Sequence, residues 1–211
     1  MYPPPAFRED DTHILHALMQ EAGLCTLVTH TAQGLMATPL PVWLEAGEGE
    51  MGTLYAHVAR GNPQGHAVAT GEGLVIFHGP DAYVSPSWYP AKAEHHKVVP
   101  TWNYIAVHAY GPVETFDDAD QLRTLVTRLT QRHEAGRAEP WAVSDAPDAY
   151  IDAMLKGIVG VRIAITRLDG RRKLSQNRAA ADQAGVARGL ADSAREADRA
   201  VAGLMRDDAK G

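Results

Sequence analysis

The chain is poor in most of what would make its chemistry obvious. Cys25 is its only cysteine, so no intrachain disulfide can form, and a reducing cytoplasm is the expected compartment. No apolar run approaches the roughly 18 residues of a membrane helix. The opening MYPPPAFREDD is acidic and proline-rich, the opposite of a secretory leader. Basic residues are outnumbered, with a formal net charge of −6 and a pI near 5.9, which argues against nucleic acid as the dominant partner. There is no HExxH, no cysteine pair, no close His-x-His and no GxSxG. Gly71-Glu72-Gly73 lacks the lysine of a P-loop and the spacing of a dinucleotide fingerprint. A structural metal and a nucleophilic hydrolase are thus disfavoured, and no internal repeat is present. Cys25, in an expected strand, reads as a small core residue. His95 and His96 are adjacent, and on a strand they would face opposite ways.

What is present is an ordinary globular composition, 45% hydrophobic and 22% charged over 211 residues, enough for a real core. Aromatic residues make up 7% but cluster: the stretch 79–111 holds Trp88 and Trp102 with Tyr83, Tyr89, Tyr104 and Tyr110. Pro80, Pro86, Pro90 and Pro100 stiffen it. Rings fixed on such loops suit a planar ligand or a subunit interface; equally, they suit an aromatic core with tight turns.

Along the chain, Asp10 or Asp11 caps a helix from near Thr12, which Gly23 stops. Strands follow over 24–30, 35–44 and 53–58, with Pro39 and Pro41 placing part of the second at an edge or rim. Asn62-Pro63 opens a short helical piece to Ala69. Strands at 73–78 and 104–110 flank the aromatic stretch. Asp117 or Asp118 caps a helix to about His133, a loop carries Trp141, and a short helix over 148–155 precedes a strand over 158–168. There Val159, Val161, Ile163 and Ile165 form the core side and Arg162, Ala164 and Thr166 the other. Beyond Ala179 the chain is helical, with Gly185 and Gly189 as weak points. The fold expected is mainly β with peripheral helices, an α+β arrangement of antiparallel strands closing as a barrel or sandwich.

Three groups of residues are candidates for chemistry. At 57–64 a strand ends, Arg60-Gly61 turns and a helix starts; its amides and the Arg60 fork suit a phosphate, or else form a capped helix with a solvated arginine. Thr101-Trp102-Asn103 offers a ring face and a polar edge, or else a core tryptophan and a satisfied turn. Arg162, Arg167, Arg171, Arg172, Lys173 and Arg178 form the one distinctly basic region, opposed by Asp169. It serves a cofactor across an interface, a DNA backbone, or only a solvated rim.

The blocks MYPPPAF, HVARGNPQ, IFHGPDAY, YVSPSWYP, VPTWNYIAVHAYG, Pro140-Trp141 and IVGVRIAITRLDGRRKLSQNR, in this order, resemble the PaiB-type family of FMN-binding negative transcriptional regulators. The resemblance implies an FMN-binding split β-barrel over 1–178 with an N-terminal arm, a helical extension over 179–211, and a cytoplasmic homodimer. It implies FMN held by Thr38, His57, Arg60, Asn62, Trp102, Asn103, Gln176 and Arg178, and DNA contacted directly or through another protein. Arg162 stands where the family pattern has an acid and Arg172 where it has an aromatic. The alternatives are a flavin-dependent oxidoreductase resembling pyridoxamine-phosphate oxidases, or a haem-binding split barrel with an axial ligand among His57, His78, His95 and His96.

Overall fold

The computed structural model describes residues 1–2, 4–66 and 71–208. It contains two compact units. One comprises 12–77 and 108–168; the other comprises 1–11, 78–107 and 169–211.

The first unit is built on strands β2 (Leu24–Thr31), β3 (Gly34–Pro41), β4 (Trp43–Glu45), β5 (Thr53–Ala59) and β8 (Ile158–Ala164). It also takes in the 72–77 part of β6 (Glu72–Val84) and the 108–116 part of β7 (Thr101–Phe116). Neighbours run in the order β3-β2-β6-β7-β8-β5-β4. The first and last strands of that order are separated in sequence by Val42 alone. One length of chain therefore pairs with β2 as Leu24↔Pro41 through Thr31↔Gly34, then with β5 as Trp43↔Tyr55 through Glu45↔Thr53. This single segment joins the two ends of the sheet and makes it a barrel, removing the exposed edges that an open sheet would carry. Sequence reading gave one strand over 35–44; the register changes partner at Val42 because barrel closure requires it.

Alternation along the strands sends Leu27, Leu40, Val42, Leu54, Ala56, Val75, Val161 and Ile163 inward. They leave a void of only about 10 Å³ between them, at most the room of one water. Helices α1 (Thr12–Glu21), α3 (Ala119–Glu134) and α4 (Asp148–Leu155) lie in this unit. The Asp118 carboxylate accepts from the Gln121 amide to cap α3, as its position before an apolar stripe predicts. Leu122, Val143, Ile151 and Leu155 form a buried cluster joining α3 to α4. The expected strand over 158–168 is two: β8, then β9 (Arg167–Lys173). Cys25 is 2% exposed and burial pushes its thiol up to about 12, so it is a protonated core group.

In the second unit, β1 (Arg8–Glu9) pairs antiparallel with β9 as Arg8↔Arg171 and Glu9↔Gly170. The Met1 ammonium meets the Asp169 carboxylate at 2.8 Å, so the N-terminal arm is tied down. Helices α5 (Ala180–Ala191) and α6 (Glu196–Asp208) build a core with Ala82, Val84, Tyr89, Leu174, Val186, Leu190, Val201, Ala202 and Met205. Gly185 and Gly189 are where Trp88 docks. A Cβ at Gly185 would lie 2.1 Å from the Trp88 carbonyl oxygen, and one at Gly189 2.4 Å from its indole ring. Positions that cost helix propensity gain close packing in return. His95 ends the short helix α2 (Ala91–His95) and His96 caps it at φ 57°, so the pair is not on a strand.

Candidate functional site

The eight candidate residues fall four to each unit. Thr38, His57, Arg60 and Asn62 belong to the barrel unit. Asn62 sits after β5 and its Oδ1 accepts from the Gln64 amide, while its Nδ2 donates to Thr38 Oγ1 at 3.0 Å. This bond ties the β5 loop to β3. Gln64, buried at 3% exposure, anchors the same loop from inside by donating from Nε2 to Thr29 Oγ1 at 3.0 Å. Gln64 lies in the HVARGNPQ block, and only its place there could have flagged it.

Arg60 is exposed, and it fixes the loop from outside. Its Nε donates to the Lys156 carbonyl at 2.7 Å and an Nη to the Ile158 carbonyl at 3.0 Å. Within the described residues the expected helical piece is the 3-10 turn Pro63–Gly65; its remainder, 67–69, lies outside the described residues. The amides of Arg60, Asn62, Gln64 and Gly65 are all spent within the chain, on Gly157 O, Ala59 O, Asn62 Oδ1 and Asn62 O. These amides are therefore not free for an anion, and the Arg60 guanidinium is the loop's remaining cationic group.

His57 lines a surface pocket of about 430 Å³ together with Val126, Leu129, His133 and Trp141. Its Nδ1 is buried with no hydrogen-bond partner among the described residues, and burial lowers its pKa, so the ring is neutral at physiological pH. The unfolded chain then binds a proton that the folded chain refuses. Stability is full above the ordinary imidazole range and is lost as pH falls through the depressed value. The urea midpoint is expected to drop between about pH 7 and 5, with a shallower drop in His57→Gln. Identical pH profiles for the two proteins would contradict this.

Trp102, Asn103, Gln176 and Arg178 belong to the second unit. Trp102 is 48% exposed, so its ring face is available, and it packs edge-on to Tyr83 at 5.9 Å between centroids. Lys173 holds the strand start by donating to the Trp102 carbonyl and to Thr101 Oγ1. Burial, then the nearby Arg171 and Arg178, lowers the Lys173 pKa. Asn103 is fully buried; its Nδ2 donates to Ser175 Oγ at 2.9 Å, and Ser175 Oγ donates to its Oδ1 at 3.1 Å. Asn103 thus locks β7 to the turn that carries Gln176 and Arg178. In that turn Ser175 takes φ 68°, Gln176 bonds the Leu174 amide and the Arg172 carbonyl, and the Arg178 guanidinium lies 5.0 Å from the Tyr89 ring centroid.

Three of the six cations of the basic region, Arg162, Arg167 and Arg172, are set against carboxylates. Arg162 meets Glu48 at 2.7 Å and Glu114 at 2.8 Å. Arg172 meets Glu9 at 3.3 Å, and Arg167 stacks 3.5 Å over Tyr110 with Glu72 at 4.0 Å. Arg171 lies 5.1 Å over Tyr104. Sequence reading set Asp169 alone against these cations because Glu9, Glu48, Glu72 and Glu114 are remote in the chain.

The sequence pattern of the family described as "Putative FMN-binding domain" matches residues 1–167. The chain belongs to this family. It is also 34% identical over 212 residues to the protease synthase and sporulation protein PAI 2 of Bacillus subtilis, covering 100% of this chain and 99% of that protein. An uncharacterised Emericella nidulans protein is 31% identical, covering 98% and 97%. Among solved structures, the FAD and heme binding protein of Mycobacterium smegmatis superposes with a TM-score of 0.58 at 19% identity, covering 79% of this chain and 73% of that one. The Azotobacter vinelandii flavocytochrome Anf3 gives 0.56 at 13%, covering 79% and 69%. These likenesses confirm the split-barrel fold.

Family membership makes FMN the cofactor, and the residues present fit it. The void of about 10 Å³ among the barrel's core side chains is far too small for a flavin. An exposed arginine beside a Thr38–Asn62 pair suits a phosphate, and a half-exposed tryptophan suits a ring. Among the described residues no group of three or more His, Cys, Asp or Glu is placed to hold a metal ion, and no helix is long and apolar enough to cross a membrane.

Proposed function

We propose that this FMN-binding split-barrel protein works as a homodimer and as a negative transcriptional regulator, with Thr38, His57, Arg60 and Asn62 of one unit and Trp102, Asn103, Gln176 and Arg178 of the other as its flavin-binding residues. The observation that carries the regulatory reading is the full-length match to the sporulation protein PAI 2. In this reading Arg60 takes the phosphate, assisted by Thr38 and Asn62, and Trp102 covers the ring. Asn103 acts through packing, by fixing the turn that presents Gln176 and Arg178. Bound FMN supplies redox sensitivity; the protein residues bind and orient it.

The net negative charge and the partial pairing of the basic region favour DNA contact through another protein over direct contact. Arg162, Arg167 and Arg172 are each set against a carboxylate, which leaves Arg171, Lys173 and Arg178 as the region's cations for a duplex, on a chain of net charge −6. Transcript profiling of cells lacking the chain tests the role. A small set of transcripts is expected to rise, and to be restored by wild type but not by Arg60→Ala. At about 50 mM salt, fluorescence anisotropy with a duplex from an affected promoter is expected to show no direct binding. An unchanged transcript profile would overturn the regulatory reading. Tight, salt-sensitive binding to the duplex would overturn the indirect one.

A further inference from the structure

A second cavity, of about 520 Å³, opens in the barrel unit between the outer face of β4 and β5 and helix α3. Trp43, Tyr55, Phe116 and Leu125 make its apolar wall, and Glu45, Glu48, Asp120 and Arg128 its charged rim. None of the eight flavin candidates lines it. The three rings come together because Trp43 and Tyr55 are register partners across β4 and β5, while Phe116 ends β7 edge-on to Tyr55, 6.3 Å between centroids at 75°.

The charges lining this cavity sum to a negative net charge. Arg128 is held by Glu45 at 2.8 Å and lies over Trp43, 5.6 Å from the ring centroid. Arg162, behind the wall, is held by Glu48 at 2.7 Å, by Glu114 at 2.8 Å and by Tyr55 Oη at 3.3 Å. Tyr55 in turn donates to Glu48 at 2.8 Å. Both guanidiniums are thus committed to carboxylates. Asp120, exposed in the first turn of α3, has no side-chain partner among the described residues. Glu45, Glu48, Glu114 and Asp120 against Arg128 and Arg162 leave two negative charges unbalanced. Aromatic faces beside unbalanced carboxylates attract a cation and repel an anion.

We infer that this cavity is a second binding site, separate from the flavin residues, for a small organic cation: an ammonium group on an apolar or aromatic body. The body lies on Phe116, Tyr55 and Leu125, and the charged head turns to Asp120 and Glu48. The volume fits a body of drug-fragment size. For a regulator, such a site offers a place to sense an amine while the flavin site carries out its own role.

The probes are benzylamine, the neutral isostere benzyl alcohol and the anionic isostere benzoate. They are titrated calorimetrically into the full-length chain with and without saturating FMN. Benzylamine is expected to saturate below about 10 mM, equally well with FMN present, and benzoate not to bind. Asp120→Asn and Phe116→Leu are each expected to weaken benzylamine about fivefold. Melting temperature and FMN titration serve as the check that each variant is folded. The inference is overturned if benzylamine fails to saturate, if benzoate or benzyl alcohol binds as well, or if neither folded variant loses affinity. Competition by FMN would also overturn it, by making the cavity part of the flavin site. Failure of FMN to bind at all, with benzylamine still selective, would defeat the flavin reading and leave this one standing.

Discussion

A single methyl group added at Gly111 is expected to break the barrel unit. A Cβ there would lie 2.1 Å from the Ala164 carbonyl oxygen and 2.9 Å from Ile163 Cγ2. The first of these is backbone of β8, which runs beside β7, with Val113↔Ile163 and Phe116↔Gly160 among the paired residues. Neither strand can retreat without breaking a ladder that closes the barrel. Overpacking against flexible side chains costs about 1–3 kcal/mol, and against fixed backbone the cost lies at or above the top of that range. For a chain of this size, about 3 kcal/mol corresponds to a fall in Tm of roughly 6–12 °C. Gly111→Ala is therefore expected to melt far below wild type or to be recovered insoluble. Gly61→Ala is the control, since nothing lies within 4 Å of a Cβ there. Equal melting temperatures for wild type and Gly111→Ala would show that β7 and β8 are not packed as described.

Arg60→Ala is expected to weaken FMN binding by roughly 10–100-fold. A charge-assisted hydrogen bond to phosphate contributes about 1.5–3 kcal/mol, and each 1.4 kcal/mol is tenfold in Kd. The substitution also frees the carbonyls of Lys156 and Ile158, so loop disorder could imitate loss of the phosphate contact. Two further measurements separate the causes. Arg60→Lys keeps the charge and loses the fork, and is expected to recover part of the affinity. Riboflavin lacks the phosphate, and its affinity is expected to be nearly the same for wild type and Arg60→Ala. If riboflavin weakens as much as FMN, Arg60 acts on the ring or on the fold, and the phosphate assignment is wrong.

Local pattern carried most of the secondary structure. Alternation along Val159, Val161, Ile163 and Ile165 marked a buried strand face, and all four are buried. Asp117 or Asp118 before an apolar stripe marked the start of α3, and the structure makes Asp118 the cap. The lengths of β6 and β7 were not legible. Pro80 and Pro112 sit inside them, and a proline reads locally as a strand end. The partner change at Val42 was hidden for a different reason: it depends on pairing with both β2 and β5, and nothing local encodes that. At the candidate site the residue types were legible, but their commitments were not. Asn103 offered a polar edge in sequence and spends both amide atoms on Ser175, 72 positions away. Arg162 looked like a free surface cation and holds two carboxylates from Glu48 and Glu114. Gly185 and Gly189 read as helix defects because their benefit, contact with Trp88, lies in another part of the chain.

The most direct test of the account is a titration of the purified wild-type chain with FMN, followed by flavin absorbance and fluorescence. One FMN per chain, with saturable quenching and weaker binding by Arg60→Ala, is the predicted result. No saturable binding by a folded wild-type chain at about 100 μM FMN, a concentration that would detect even modest affinity, would contradict it.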